Sequence, residues 1–268
     1  MIPEALLARV PDRRRCIVSL CYDDALPCHH EMVAPLLETH GLRATFYTHL
    51  QSRFLPDVDR WRGVAAAGHE LGNHTVFHPC QDQKWLDRTH NLRHYTPRRW
   101  CDEVQLANAV LQTVDGCTRR TFGNTCHDNR VGEGEGVVLI ETLAPNYFIA
   151  ARGEHTRRAV DFSSLNWFNL GNRVIDGASF AELSTELSAL AQAGGWILYT
   201  MHGVGPRDHE LHIAVDQHRR LIEWLAAHDD AVWVAPVRTV AETLQPSADT
   251  RALSGAATSS DRDGCARG

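Results

Sequence analysis

Two adjacent carboxylates, Asp23 and Asp24, end an apolar stretch that reads CIVSLCYDD from residue 16. A carboxylate pair is costly to bury, so its place at the end of a strand-like segment needs a reason. One reason is a turn, because aspartate accepts hydrogen bonds from nearby backbone and often ends strands. The other is chemistry. Successive strand residues point to opposite faces, so two adjacent aspartates can serve one site only where the strand ends and bends.

His74 and His78 are four residues apart in NHTVFHP, a spacing that lets two imidazoles converge on one metal ion from a helical turn. The spacing alone is weak evidence, because His90 and His94 repeat it in a polar stretch that ends no strand. We interpret that second pair as part of a surface loop. The segment HELGNH is not the zinc-protease motif, because its histidines, five apart, would point about 140° away from each other on a helix.

Strand-like apolar segments alternate with helix-period segments along the chain, which predicts a parallel α/β fold, either an open doubly wound sheet or a barrel. The run WILYTM (196–201) is nearly continuously apolar, as expected for a strand covered on both faces. Thr96 followed by Pro97 predicts a helix start, and Ser179 with Glu182 predicts a capping box on a later helix.

Both architectures place their chemistry at the carboxyl ends of the strands. The aspartate pair, His74 and His202 each stand where a predicted strand ends. No GxGxxG follows the first strand, which disfavours nucleotide binding. The Gly-rich segment VGEGEG (131–136) predicts a flexible loop, because its glutamates would repel a phosphate.

Composition describes a globular enzyme-sized chain with residues 1–245 as one domain and residues 246–268, which lack aromatics, as a disordered tail. The net charge of −6, without a concentrated Lys/Arg run, argues against a nucleic-acid-binding protein. The sequence contains no run of about 18 consecutive apolar residues, so no membrane span is predicted. The N-terminus does not read as an export signal, so we expect a cytoplasmic protein.

Eight cysteines occur without a CxxC pair or a regular framework. In a reducing compartment they are expected to be free thiols, several of them acting as small core residues. The sequence carries no signal of oligomeric state.

Three segments occur in order along the chain: SLCYDDA, HTVFH and ILYTMHG. Together they resemble the motifs of the polysaccharide deacetylases, carbohydrate esterase family 4. That family has a first motif similar to TFDDG, a second motif H-S/T-x-x-H, and a late apolar strand that ends in histidine. The resemblance covers about residues 16–244. It implies a divergent member with a distorted, TIM-barrel-like (β/α) barrel of seven or eight parallel strands.

The resemblance implies that Asp24, His74 and His78 bind one divalent metal ion, with zinc favoured and cobalt, nickel, manganese or iron also suited. It implies Asp23 as the general base and His202 as the general acid. Three protein ligands leave a position for water, whose pKa the metal lowers. The implied reaction removes an N-linked acetyl or other acyl group from an amino sugar or related small N-acylated compound. It acts on a carbon–nitrogen bond that is not a peptide bond.

The third motif of the family, Arg-x-Pro-Tyr, corresponds here to GNTC (123–126), so the arginine that orients the catalytic aspartate is missing. The backbone N–H of Cys126 would take the oxyanion-donor position, with Asn124 beside it as a further oxyanion or substrate-binding residue. The missing arginine leaves open a deacetylase-like binding protein that has lost catalysis. A carbohydrate O-acetyl esterase is a further alternative, because an alcohol leaves more readily than an amine.

The fourth motif has rival candidates: Asp161, Asn166 with Trp167, and Asp176. One of the two aspartates would lie behind His202 and hold it in the tautomer that a general acid needs. Trp85 and Tyr95, in a polar insertion, would stack on a sugar ring. The implied partner is a small-molecule or oligosaccharide substrate.

Overall fold

The computed structural model describes residues 1–51 and 54–245, and the predicted disordered tail lies outside this range. The strands are β1 (Cys16–Asp23), β2 (Thr45–Thr48), β3 (Glu70–Asn73), β4 (Thr121–Gly123), β5 (Arg130–Val131), β6 (Val138–Leu139), β7 (Ala150–His155), β8 (Leu170–Val174), β9 (Gly195–Met201), β10 (Gly203–Val204), β11 (His212–Ile213) and β12 (Val232–Val234). The α-helices are α1 (Glu4–Leu7), α2 (Ala34–Thr39), α3 (Val58–Ala66), α4 (Pro97–Asp115), α5 (Ile140–Leu143), α6 (Phe180–Ala193), α7 (Val215–Ala227) and α8 (Val237–Leu244).

Seven parallel strands close into a barrel in the order β1-β2-β3-β4-β7-β8-β9, because β9 also pairs with β1 from Cys16 to Tyr22. The short strand β12 pairs with the first half of β1, and β2 pairs with its second half. This split distorts the barrel, since one flank of β1 is shared by two strands. The predicted (β/α) barrel is confirmed.

The elements form where local patterns specify them. Every residue of β1 and β9 is buried, which matches their nearly continuous apolar character. Thr96 accepts the backbone N–H of Arg99 and so caps α4, whereas Gly116, with φ 72°, ends it. Ser179 accepts the N–H of Glu182 at the start of α6, as the capping box predicts.

The main hydrophobic core lies between the barrel wall and the helices, where Phe46, Trp61 and Leu221 are fully buried. At the amino-terminal end of the barrel, the buried Glu70 carboxylate accepts hydrogen bonds from Thr45, Thr121 and the backbone of Arg238. These bonds tie the start of α8 to three strands. In residues 1–51 and 54–245, no helix is long and apolar enough to cross a bilayer.

Candidate active site

The aspartate pair lies at the carboxyl end of β1, where the chain bends. Asp24 and Ala25 have φ values of 79° and 51°, in the left-handed region that few non-glycine residues adopt. The Asp24 N–H still donates to Tyr47 O on β2, at 3.1 Å. The bend brings both carboxylates to one imidazole: His74 Nε2 lies 3.9 Å from Asp23 Oδ2 and 3.7 Å from Asp24 Oδ1. The turn is therefore what allows both side chains to serve one site.

Asp24, His74 and His78 form a compact group of potential metal ligands. Their ligand atoms all lie within 4.8 Å of one another, and His78 Nε2 is 3.2 Å from Asp24 Oδ1. His74 Nδ1 lies 2.7 Å from Gly123 O and must donate to it, so Nε2 of the neutral ring carries a lone pair. That lone pair faces a carboxylate oxygen, an arrangement that a cation between the two would satisfy. The donor set thus fits a divalent ion.

The ionisation states of this group also fit a metal site. Burial alone would raise the pKa of Asp24, but the neighbouring His78 imidazole holds it well below its usual range. Burial, together with the adjacent His78, holds the pKa of His74 well below its usual range. Asp24 is therefore a carboxylate and His74 is neutral, as metal coordination requires.

The turn that carries His78 is irregular, so the expected helical turn is wrong. Thr75 and His78 have φ values of 67° and 51°. Side chains hold this conformation: Asn73 Oδ1 accepts the N–H of Thr75, and Thr75 Oγ1 accepts the N–H of His78. Glu103, on α4, accepts two further backbone N–H groups of the turn. These bonds bring the two imidazoles together without a helix.

An arginine does contact Asp23, which corrects the expectation that it is missing. Arg152 Nη2 lies 2.9 Å from Asp23 Oδ2, and both side chains are buried. Arg152 is on β7, where its Cα is paired with that of Gly123 on β4. A Cβ at Gly123 would lie 2.8 Å from Arg152 Nη2 and 2.8 Å from Tyr47 Cγ. The glycine at the motif position therefore makes room for an arginine at the same level of the neighbouring strand.

The arginines near the third motif in sequence are engaged elsewhere. Arg120 forms a buried ion pair with Asp115, and Arg119 pairs with Glu242 on α8. The one sequence signal for Arg152 is a lone charge at the end of an apolar run, FIAAR, which implies a buried partner.

His202, which follows β9, is held by Asp176. Its Nδ1 lies 2.7 Å from Asp176 Oδ2, and its backbone N–H donates to Asp176 Oδ1 at 3.0 Å. Burial lowers the pKa of His202, but the Asp176 hydrogen bond and the charges of Asp23 and Asp24 outweigh it and raise the pKa to about 9. With Nδ1 bonded to Asp176, Nε2 is the nitrogen left to give a proton.

The other candidates for the fourth motif lie elsewhere. Asp161 is exposed in a turn and accepts hydrogen bonds from Ser163 and Ser164, so its predicted place behind His202 is wrong. Asn166 accepts a backbone N–H two residues on, and the Trp167 ring packs near Trp196. Of the rival candidates, Asp176 is the one beside His202.

A disulfide joins Cys80 to Cys126, so the expectation of free thiols is wrong for these two residues. Within residues 1–51 and 54–245, five further cysteines form no disulfide: Cys16, Cys21, Cys28, Cys101 and Cys117. Cys80 Sγ lies 3.6 Å from His78 Nδ1. The bridge therefore links the segment after His78 to the turn that carries Cys126, where the oxyanion donor is predicted. Asn124 is fully buried beside this turn, and its backbone N–H donates to Arg152 O.

The two predicted sugar-stacking residues differ in placement. The Trp85 side chain is 64% exposed, and its ring centroid lies 6.1 Å from that of His78. Tyr95 is buried and its hydroxyl donates to Glu103, so the prediction that it stacks on a sugar is wrong. His90 stacks on the exposed ring of Phe77, consistent with a surface position for the second histidine pair.

The structure also places His209 at the site. Its Nε2 lies 3.8 Å from Asp24 Oδ2. Its ring stacks on that of His202, with centroids 5.0 Å apart and an interplanar angle of 12°. Its one sequence signal is its place in the segment that follows the late apolar strand.

Comparison with known proteins places these features in context. Residues 11–124 match the sequence profile of the family described as polysaccharide deacetylase. A gellan lyase from Bacillus sp. is 27% identical over 150 residues, which are 56% of this chain and only 5% of that protein.

Two solved structures share the fold. A candidate polysaccharide deacetylase from Mycobacterium smegmatis superposes with a TM-score of 0.62 at 16% identity, over 88% of this chain and 92% of that one. A family 4 acetyl xylan esterase from Clostridium thermocellum, solved with a cobalt ion, gives 0.51 at 17% identity, over 84% and 89%. At these identities the two structures establish the fold alone. The profile match over residues 11–124 and the ordered motifs show that this chain is similar to the polysaccharide deacetylases.

Proposed function

We propose that this protein is a metal-dependent hydrolase that removes an N-linked acyl group, in the simplest case acetyl, from an amino sugar. One observation carries the proposal: the potential ligands Asp24, His74 and His78 lie in a site with two further side chains that are each held by a partner. Arg152 holds the carboxylate of Asp23, and Asp176 holds the imidazole of His202. A divalent ion on the three ligands, for which zinc is our choice, would polarise the acyl carbonyl and lower the pKa of a water molecule.

Asp23 is suited to accept the proton of the attacking water. Arg152 engages Asp23 Oδ2, whereas Asp23 Oδ1 is buried and has no hydrogen-bond partner among the described residues. A buried carboxylate oxygen without a partner is costly, and substrate water is a natural donor to it. Arg152 thus fixes the orientation of the carboxylate and leaves one oxygen for proton transfer.

His202 is suited to protonate the departing nitrogen. An amine is too basic to leave without a proton, whereas an alcohol needs less help. The raised pKa, about 9, keeps the imidazole protonated near neutral pH, and the Asp176 hydrogen bond leaves Nε2–H as the donor. An acid prepared in this way supports an amide substrate over an O-acetyl ester.

The observation that suggested a binding protein without catalysis no longer supports that alternative. That alternative depended on a missing arginine, and Arg152 contacts Asp23 from the neighbouring strand. The exposed Trp85 ring near His78 supports a sugar substrate, because aromatic faces stack on the apolar faces of sugar rings.

The test combines metal content with acetate release. We expect the parent to hold about one divalent ion per chain after dialysis and to release acetate from N-acetylglucosamine oligomers. His74→Ala should lose the ion and the activity, whereas His90→Ala, the matched histidine control, should keep both. Asp23→Asn should keep the ion and lose the activity. A parent that takes up no ion under any reconstitution, or an Asp23→Asn variant as active as the parent, would show that the proposal is wrong.

A further inference from the structure

His209 lies in the loop between β10 and β11 and has no part in the reaction described above. Its Nε2 lies 3.8 Å from Asp24 Oδ2, and its ring is parallel to that of His202. The side chain is 29% exposed, so it is open to a substrate that reaches the two imidazoles.

The loop that carries His209 is fixed at both ends and in its middle. Gly203 N–H donates to Leu211 O, and Gly205 N–H donates to Ile213 O, which closes the loop on itself. Asp208 Oδ2 accepts the backbone N–H of Cys28 at 2.9 Å, which ties the residue before His209 to the segment after the aspartate pair. The position of the imidazole is therefore set by the fold.

The hydrogen bonds of the ring assign its tautomer. Two backbone groups of Leu211 approach His209 Nδ1: the N–H at 3.0 Å, and the carbonyl oxygen, which already accepts from Gly203 N–H, at 3.2 Å. Because the N–H can only donate and is the nearer group, we assign Nδ1 as its acceptor. The proton of the neutral ring is then on Nε2, the nitrogen that faces the site. The nearest carboxylate oxygen, Asp24 Oδ2, is too far for a hydrogen bond at 3.8 Å. The Nε2–H of His209 thus lies beside the reacting groups, and Asp24 does not accept it.

We propose that His209 is a substrate-recognition residue whose Nε2–H donates to a hydroxyl oxygen on the carbon next to the acylated nitrogen. The inference rests on the proposed function, because the leaving nitrogen must lie at His202. Two parallel imidazoles with centroids 5.0 Å apart then face neighbouring substituents of one substrate. A vicinal N-acyl amino alcohol, the arrangement in an amino sugar, offers nitrogen to one ring and oxygen to the other.

The test compares N-acetylglucosamine with its 3-deoxy analogue in metal-loaded Asp23→Asn protein, which binds without turnover. Calorimetry should show that His209→Ala weakens binding of the hydroxylated sugar about 3- to 10-fold, the value of one neutral hydrogen bond, and leaves binding of the deoxy sugar unchanged. His209→Gln, which keeps an N–H donor, should recover part of the loss. His212→Ala is the matched control, because His212 is three residues away and its Nδ1 is bonded to Glu210 O.

The outcomes separate this inference from the proposed function. Equal losses on both sugars, a loss of the metal in His209→Ala, or no binding of either sugar would overturn the role of His209. Failure of the parent to release acetate would overturn the proposed hydrolysis. A selective loss in binding would still support recognition by His209 in that case.

Discussion

Asp176→Asn is the perturbation that most directly tests the proposed general acid. Asp176 accepts two hydrogen bonds from His202, one from the ring and one from the backbone. Asparagine keeps the shape and one accepting oxygen, but it removes the negative charge. It also places an N–H donor against the imidazole or gives up the backbone bond. The variant therefore changes the ionisation of His202 with little change in packing.

The size of the effect follows from the pKa of His202, which is raised from 6.5 to about 9. Burial opposes this rise, and the Asp176 hydrogen bond is the first of the interactions that produce it. Without Asp176 we expect the pKa to return toward 6.5, a change worth about 3.4 kcal/mol at about 1.36 kcal/mol per unit. At pH 8 the protonated fraction would fall from about nine in ten to about one in thirty, so the rate would drop roughly 30-fold from protonation alone.

The assay is the pH dependence of kcat on an N-acetylated amino sugar. A general acid must be protonated, so activity falls as the pH rises through its pKa, and this alkaline limb should move to lower pH in Asp176→Asn. A bound divalent ion would offset the charge of Asp24 and so move the alkaline limb of the parent to lower pH. It would not change the direction of the shift from the parent to Asp176→Asn. Asp161→Asn, the matched control in an exposed turn, should leave the limb unchanged. If the alkaline limbs of Asp176→Asn and the parent coincide, His202 is not the acid.

The same pKa makes a prediction about stability. A histidine whose pKa is raised in the folded state contributes stability that is fully present below pH 6.5 and is lost as the pH rises through about 9. Asp176→Asn should therefore lower the free energy of unfolding most near pH 6 and least above pH 9. Urea titrations at both values measure the difference, and an equal loss at the two would contradict the linkage.

Three further predictions concern the surroundings of the site. Arg152→Met should lower kcat at least 10-fold and cost about 3–5 kcal/mol of stability, because it leaves the buried Asp23 carboxylate unpaired. Acetate release measures kcat and urea unfolding measures the stability, and unchanged values of both would refute the pairing. Cys80→Ser with Cys126→Ser should lower the free energy of unfolding by about 4 kcal/mol, from a bridge across 46 residues. A thiol reductant should then destabilise the parent but not the double variant, and Cys117→Ser, at a free half-buried cysteine, is the control. Trp85→Ala should raise KM for N-acetylglucosamine oligomers about 5-fold at unchanged kcat and unchanged metal content, and a change in kcat alone would argue against stacking.

The barrel could be predicted from the sequence because its signals are local. The apolar run of β9, the proline at the start of α4 and the capping box of α6 each depend on neighbouring residues, and each element forms where it was predicted. The motif residues also follow from local order, since the carboxyl ends of parallel strands meet at one end of a barrel. Asp23, Asp24, His74 and His202 come together for that reason.

The features that sequence reasoning missed depend on contacts between distant residues. Cys80 and Cys126 are 46 residues apart and become neighbours only when two loops fold over the same end of the barrel. Tyr95 is polar enough to sit at a surface, but Glu103 offers its hydroxyl a buried acceptor. The four-residue spacing of His74 and His78 predicted a helical turn. The side chains of Asn73, Thr75 and Glu103 instead accept backbone N–H groups of this segment and so stabilise an irregular turn.

Arg152 shows why a motif position and a position in space can differ. Paired residues on adjacent parallel strands project to the same face of the sheet at the same level, so an arginine can move from Gly123 to its partner on β7 and still reach Asp23. The exchange needs a small residue at the original position, since a Cβ there would lie 2.8 Å from the guanidinium. In this chain, the absence of a Cβ at position 123 leaves the space that the Arg152 guanidinium occupies. The incomplete third motif is therefore compatible with the proposed role of Asp23 as base, because Arg152 on the neighbouring strand supplies the positive charge.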